Sequence, residues 1–165
     1  MKLCMIAAIG MNRELGKKGD LIWHIPEDWK YFKLKTMGAP VVMGKNTFNS
    51  LPKLLPGRKH IILSDDNNFN KDVSDAKVVY TREELMKYIN SELQYCEKVF
   101  IIGGASMYKM FIDVCDQMYL THINAEDEAA DVFFPEIKNN EWDKKLEYDC
   151  YESGILIEHY EYNRR

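Results

Sequence analysis

The sequence predicts an α/β fold, with a mostly parallel sheet carrying helices on both sides. Short apolar runs ending in Gly or polar turns alternate with helical patterns through most of the chain. The long runs at 117–124 and 155–162 have no helix between them, which predicts an antiparallel edge towards the C-terminus. No repeat, low-complexity tract or linker divides the sequence, so a single domain spans residues 1–165.

The first run, 3–9, is apolar on both faces and reads as a buried central strand. Residues 10–23 follow as a loop rich in Gly and charge (Gly16, Gly19, Asp20), long enough to act as a functional lid. Pro26 opens a helix at its first position, with Glu27 and Asp28 in the first turn and Gly38 beyond the end. Trp29 and Phe32, and Asp28 and Phe32, lie at spacings that share a helix face. A strand at 40–43 ends at Gly44, and Lys45-Asn46-Thr47-Phe48 begins a short helix. The turn Leu55-Pro56-Gly57-Arg58 leads into a strand at 60–64, and a short strand follows at 78–80. Thr81 caps a helix at 82–90, with Glu84 completing a capping box. The strand at 99–102 ends in Gly103-Gly104 before a helix at 105–112. The final run, 155–162, alternates its faces almost regularly, as a strand does.

The 165 residues are 46% hydrophobic and 29% charged, enough for one packed core beneath an ordinary polar surface. A formal net charge of −4 argues against nucleic acid as a partner. The N-terminal apolar run is too short to span a membrane and lacks the flanks of a secretory signal. Cys4, Cys96, Cys115 and Cys150 show neither CxxC nor metal spacing, which predicts reduced thiols, no metal site and a cytoplasmic location. With no coiled-coil pattern or interface stripe, a monomer is the simplest expectation.

Gly44, Gly103 and Gly104 mark strand-to-helix junctions, where ligands of open α/β sheets bind and free amides face anions. Two separated junctions suit a ligand with two phosphates, or are tight turns without such a role. Neither is a familiar fingerprint: Ala39 and Asn46 break a P-loop around Gly44-Lys45, and Gly103-Gly104-Ala105-Ser106 does not match GxGxxG. Asp28 taken alone is a first-turn carboxylate favoured by the helix dipole. Among Trp23, Trp29, Tyr31 and Phe32 it can instead face an apolar cleft, where it needs donors or stays protonated. A flat heterocycle with a ring nitrogen beside an amino group would supply two. Arg58 is a turn cation or a two-pronged carboxylate clamp. Thr121 is a polar residue in an apolar strand, and His24, His60, His122 and His159 form no catalytic or metal pattern, so we read them as structural.

Together these residues resemble the dihydrofolate reductases. The resemblance lies in Met5-Ile6-Ala7-Ala8, Leu15-Gly16, Leu21-Ile22-Trp23-His24-Ile25-Pro26-Glu27-Asp28 and Pro40-Val41-Val42-Met43-Gly44-Lys45-Asn46-Thr47. It continues through Leu55-Pro56-Gly57-Arg58-Lys59-His60-Ile61-Ile62-Leu63-Ser64, Ile101-Ile102-Gly103-Gly104-Ala105-Ser106-Met107-Tyr108 and Tyr119-Leu120-Thr121-His122-Ile123, then Asp131 ahead of Phe133-Phe134-Pro135. These motifs, in order and spacing, cover essentially the whole chain.

The resemblance implies an eight-stranded, mainly parallel sheet with four helices. It also implies reduction of 7,8-dihydrofolate to tetrahydrofolate with NADPH, feeding one-carbon and thymidylate metabolism. Asp28 would hold the pterin through N3 and the 2-amino group, with Thr121 behind it through a bound water; Leu21 and Trp23 would complete the catalytic set. Ile6, Ala7, Trp29, Phe32, Leu51, Leu55 and Ile102 would line the folate cleft, and Arg58, with Lys53 near it, would bind the glutamate α-carboxylate. Ala8, Leu15, Gly16, Gly19 and Asp20 would meet nicotinamide and its ribose from a mobile loop. Gly44, Lys45, Asn46, Thr47, Gly103, Gly104, Ala105, Ser106, Met107 and Tyr108 would cradle the pyrophosphate, with a cis Gly103-Gly104 bond; Leu63, Ser64 and Asp65 would lie by the adenosine.

Several positions depart from the family pattern. Ile22 stands in place of Pro, Trp29 is larger than the usual Leu or Phe, and Pro52 replaces Gly. Ala129-Ala130-Asp131-Val132 replaces a Gly-Asp-Thr run that touches the mobile loop, which predicts altered closure. Asp65-Asp66 sits where the family binds the 2′-phosphate, which predicts a reduced margin for NADPH over NADH, with Lys45 and Ser64 left to hold that phosphate. Two rivals are a pyrimidine reductase of riboflavin synthesis on the same fold and a non-catalytic pterin- or nucleotide-binding protein. The carboxylate clamp and the intact Asp28, Thr121 and glycine junctions favour a folate reductase over both.

Overall fold

The computed structural model describes residues 1–70 and 76–165. In chain order it contains β1 (Lys2–Ile9), β2 (Glu14–Lys17), β3 (Asp20–Leu21), α1 (Pro26–Thr36), β4 (Val41–Gly44), α2 (Lys45–Ser50), β5 (His60–Leu63) and β6 (Ala76–Val79). The chain continues with α3 (Arg82–Glu92), β7 (Lys98–Gly103), α4 (Ala105–Phe111), β8 (Gln117–Ile123), β9 (Val132–Phe133), β10 (Trp142–Glu152) and β11 (Ile155–Arg164). The main sheet has eight strands in the order β10-β11-β8-β1-β7-β4-β5-β6. All neighbours from β8 to β6 pair in parallel, and β11 alone runs against the rest, antiparallel to both β8 and β10. The mainly parallel sheet, its antiparallel C-terminal edge and the four helices agree with the sequence reading.

Alternation along each strand builds a core on both faces of the sheet. Cys4, Ile6, Val41, Met43, Phe100 and Tyr119 pack on one side with Tyr31, Phe32 and Phe48 of α1 and α2. Leu3, Met5, Val42, Val99, Ile101 and Leu120 pack on the other with Leu85, Ile89, Met107 and Phe111 of α3 and α4. The sheet is thus covered on both faces, which is why its central strands read as unbroken apolar runs.

Two regions differ from the sequence reading. Residues 10–23 are not simply a loop: β2 and β3 form a hairpin, with Lys17 opposite Asp20. Lys18 and Gly19 both have positive φ (52° and 81°), the two-residue turn whose twist matches paired strands. β9 adds to this hairpin, giving a second, three-stranded sheet. The second difference is β10, an edge strand whose charged run Asp143-Lys144-Lys145 faces solvent and so lacks the alternation that marks a half-buried strand.

The capping box forms with a shifted partner. Thr81 Oγ1 accepts from the Glu84 N–H at 3.0 Å, while the Glu84 carboxylate accepts from the N–H of Tyr80, also at 3.0 Å.

Candidate active site

Asp28 is placed by the way α1 begins. Pro26 supplies a fixed φ at the first helical position, and no side chain caps the helix. Ile25, immediately before it, is buried with Ile123 of β8 and Ile157 of β11. That contact pins the helix start over the β8–β11 seam and turns half-buried Asp28 towards Thr121. Burial pushes the Asp28 carboxyl above its ordinary range, and a side-chain hydrogen bond with Thr121 works against that rise. Tyr108, buried on α4, is raised by burial and further by the negative charge of Asp28, and its hydroxyl donates to the Ile6 carbonyl at 2.8 Å.

The apolar residues expected around a planar substrate converge on this side of the sheet. Ile6, Phe32, Leu51, Leu55 and Ile102 belong to one cluster. Ile102 lies where the β4–β7 register slips, Val42 facing Ile101 and Met43 facing Gly103, a bulge that re-aims the strand beside the site. Trp29 is half exposed and meets Phe32 edge-on at 6.4 Å. Lys53 is exposed.

Arg58 is the buried cation of the group. Its Nε donates to the Pro56 carbonyl and its Nη1 to Thr36 Oγ1, each at 3.0 Å, while the Thr36 hydroxyl donates to the Phe32 carbonyl at 2.8 Å. Only 7% of Arg58 is exposed, and among the described residues no carboxylate lies within ion-pair distance. A buried guanidinium held on one edge and lacking a counter-ion suits an incoming carboxylate. Thr36, which aims it, carried no signal in the sequence beyond being polar near a helix end.

The two glycine junctions come together. A Cβ on Gly103 would lie 3.5 Å from Thr47 Oγ1 and 3.4 Å from the Tyr108 hydroxyl; one on Gly104 would lie 3.5 Å from Thr47 Oγ1. A Cβ on Gly44 would lie 3.7 Å from Met107. The bare backbones of both junctions therefore form one cradle, which fits a dinucleotide pyrophosphate, and the Gly103–Gly104 peptide is cis as the resemblance implied. Lys45, Asn46, Ala105 and Ser106 reach the surface beside it, whereas Met107 and Tyr108 are buried and offer only backbone. Leu63 is partly buried, Ser64 is buried and Asp65 is exposed at the end of β5.

On the hairpin, Gly19, Asp20 and Leu21 are exposed, and Gly16 and Leu15 are buried, Leu15 within the core. Ala7 and Ala8 are partly buried on β1. Trp23 packs so closely on Gly10 that a Cβ there would lie 2.5 Å from its ring. Despite the altered 129–132 run, the hairpin is tethered: Lys17 pairs with Asp127 at 2.9 Å, and the Lys18 N–H donates to Asp131 at 3.1 Å. Glu14, buried and missed by sequence reasoning, accepts from the N–H groups of Asn12 and Asp127 at 2.6 and 2.8 Å.

A half-open hollow of about 190 Å³ lies elsewhere, lined by residues including Gly10, His122, Lys144 and Tyr160; none of the candidate residues faces it. Among the described residues no group of three or more potential metal ligands occurs, and no helix is long and apolar enough to cross a membrane.

The dihydrofolate reductase family model matches residues 2–160. The chain belongs to that family. It is 35% identical to the dihydrofolate reductase of Staphylococcus haemolyticus over 161 residues, covering 92% of this chain and 93% of that protein. With the dihydrofolate reductase of Haemophilus influenzae the identity is 31% over 151 residues, covering 92% and 88%. The solved structure of Enterococcus faecalis dihydrofolate reductase, complexed with NADP(H) and RAB-propyl, superposes with a TM-score of 0.86 at 30% identity, covering 99% of this chain and 96% of that one.

Proposed function

We propose that the chain reduces 7,8-dihydrofolate to 5,6,7,8-tetrahydrofolate with hydride from NADPH, as a single domain and a cytoplasmic monomer. The observation that carries this reading is Asp28, a half-buried carboxylate hydrogen-bonded to Thr121 beside an apolar cluster and within reach of the glycine cradle. Four free cysteines support a reducing compartment. The charged edge strand β10 discourages sheet-to-sheet pairing between copies, which supports a monomer.

NADPH supplies the hydride, delivered from nicotinamide C4 to pterin C6. Gly44, Thr47, Gly103 and Gly104 would hold its pyrophosphate, with Lys45 and Ser64 at the adenosine end and the hairpin bearing Gly16 to Asp20 over the nicotinamide. Asp28 accepts hydrogen bonds from pterin N3 and the 2-amino group, fixing the ring's orientation. Its negative charge, poorly screened where it lies, stabilises the pterin protonated at N5, so protonation from solvent precedes or accompanies hydride arrival. Ile6, Phe32, Leu51, Leu55 and Ile102 exclude water from the ring faces, and Arg58 clamps the glutamate α-carboxylate.

The test follows NADPH oxidation with dihydrofolate and, separately, with the pyrimidine substrate of riboflavin synthesis. Turnover with dihydrofolate alone is expected; turnover with neither substrate, or with the pyrimidine alone, refutes the proposal.

A further inference from the structure

The ladder between β8 and β11 sets His159 directly opposite Thr121. The His159 Nδ1 and the Thr121 hydroxyl oxygen are 2.8 Å apart. The imidazole is fully buried, stacked on the ring of Tyr31 (4.2 Å, 25°) and tilted against that of Tyr148 (4.4 Å, 39°), the two tyrosines themselves meeting edge-on at 5.9 Å. Its other nitrogen, Nε2, is buried without a hydrogen-bond partner. Thr121 in turn bonds Asp28, so three side chains from α1, β8 and β11 form one chain.

We propose that His159 is a positioning residue for Asp28, committing the Thr121 hydroxyl proton to the carboxylate. This rests on the reading of Asp28 as the pterin-binding group. A threonine hydroxyl has one proton to give. Ionised Asp28 only accepts, so when Thr121 donates to it, the hydroxyl oxygen must receive its own hydrogen bond from His159. That requires the neutral Nδ1–H tautomer, which leaves Nε2 as a bare lone pair, as its lack of a partner suits. The opposite tautomer would bury an unpaired N–H and set Nδ1 and Asp28 competing for one proton. Reversing the chain for protonated Asp28 would need the imidazole proton moved from Nδ1 to Nε2 on a fully buried ring packed against Tyr31 and Tyr148. The fixed tautomer therefore favours the anion.

The titratable groups around the ring come from each element packed on it. They are Glu27, Asp28 and Tyr31 from α1 and Glu147 and Tyr148 from β10, with the neutral Thr121 hydroxyl from β8. Burial holds His159 below its ordinary pKa, and the carboxylates of Glu147 and Glu27 oppose this. Glu147 is itself occupied, accepting from the Tyr31 hydroxyl at 2.7 Å and the Lys35 ammonium at 2.8 Å. The ring thus stays neutral, as a defined tautomer requires.

The reactive complex carries one proton more than free enzyme with ionised Asp28, so kcat/KM falls with rising pH above the free-enzyme pKa of Asp28. His159→Phe keeps a ring but removes the donor, making Asp28 harder to ionise. The midpoint of the alkaline fall in kcat/KM should move up by about half to one pH unit. His159→Asn, whose amide nitrogen can take the place of Nδ1, should restore most of the wild-type midpoint. In a Thr121→Val background, His159→Phe should move nothing. On the unaltered protein, imidazole ¹⁵N shifts should show the Nδ1–H tautomer at neutral pH, a readout that stands even if the Phe variant fails to fold. An unmoved midpoint in His159→Phe, an equal shift in the Thr121→Val background, or an Nε2–H tautomer would overturn the inference. Absence of wild-type turnover with dihydrofolate would refute the functional reading instead, and the tautomer would then decide the His159–Thr121 polarity by itself.

Discussion

The Lys45 ammonium lies 3.7 Å from a carboxylate oxygen of Asp66. The Asp66 N–H also donates to Ser64 Oγ at 3.1 Å, so both residues expected to hold a 2′-phosphate are engaged with the same aspartate. Binding that phosphate must compete with an existing ion pair, and Asp65 adds a second negative charge nearby. NADPH should still be preferred, but by a narrow margin, and Asp66→Asn should widen the NADPH-to-NADH ratio of kcat/KM by roughly two- to fivefold, since a partly exposed pair is worth about 1 kcal/mol or less. Equal efficiencies with the two cofactors in the wild type would contradict this.

Asp28→Asn should separate activity from stability. A carboxyl whose folded pKa is raised supports the fold at low pH and costs stability as pH rises through that pKa. The uncharged variant should therefore melt at a higher temperature at neutral pH while losing about a hundredfold or more in turnover. Partial recovery of rate in acid is expected, read from parallel melting curves and pH–rate profiles.

Arg58→Lys keeps the charge but loses the planar fork that Thr36 and the Pro56 carbonyl hold in place. KM for dihydrofolate should rise roughly tenfold or more, with a much smaller change for a pterin lacking the glutamate tail. An equal effect on both substrates would remove Arg58 from carboxylate binding.

Burial, helped by the Lys144 ammonium, lowers the His122 pKa from 6.5 to about 4. The unfolded chain takes up this proton first, so the fold should lose stability as pH falls from about 6.5 towards 4, and hold it above. His122→Asn should flatten that slope, with a difference at pH 4 of up to about 3 kcal/mol, less what solvent screening removes. Urea unfolding at a series of pH values measures it.

Gly10→Ala should cost about 1–3 kcal/mol by overpacking. The added methyl would meet the Trp23 ring at 2.5 Å and a Glu14 carboxylate oxygen at 2.6 Å. Denaturant midpoints, with tryptophan fluorescence reporting the displaced indole, provide the check.

Much of this was readable in the sequence because the signals were local. Pro26, Gly44 and Thr81 announced helix starts, and unbroken apolar runs announced strands covered on both faces. The pieces that escaped depend on partners far along the chain. β10 has no burial pattern because it is an edge, and the β2–β3 hairpin is completed by β9 across more than a hundred residues. His159 looked structural because its neighbours Thr121, Tyr31 and Tyr148 come from three other elements. Thr36 and Glu14 went unremarked for the same reason: each matters through a bond to a distant backbone or side chain, or to a turn.

Ala8 faces Thr121, and Met5 faces Ile101, in the parallel ladders on either side of β1. The place of Thr121 beneath the proposed site is thus set by inter-strand spacing, which no surface insertion can alter. A longer tip at Lys18-Gly19, or other charges at Lys45, Lys53 and Asp66, would leave those rungs where they are.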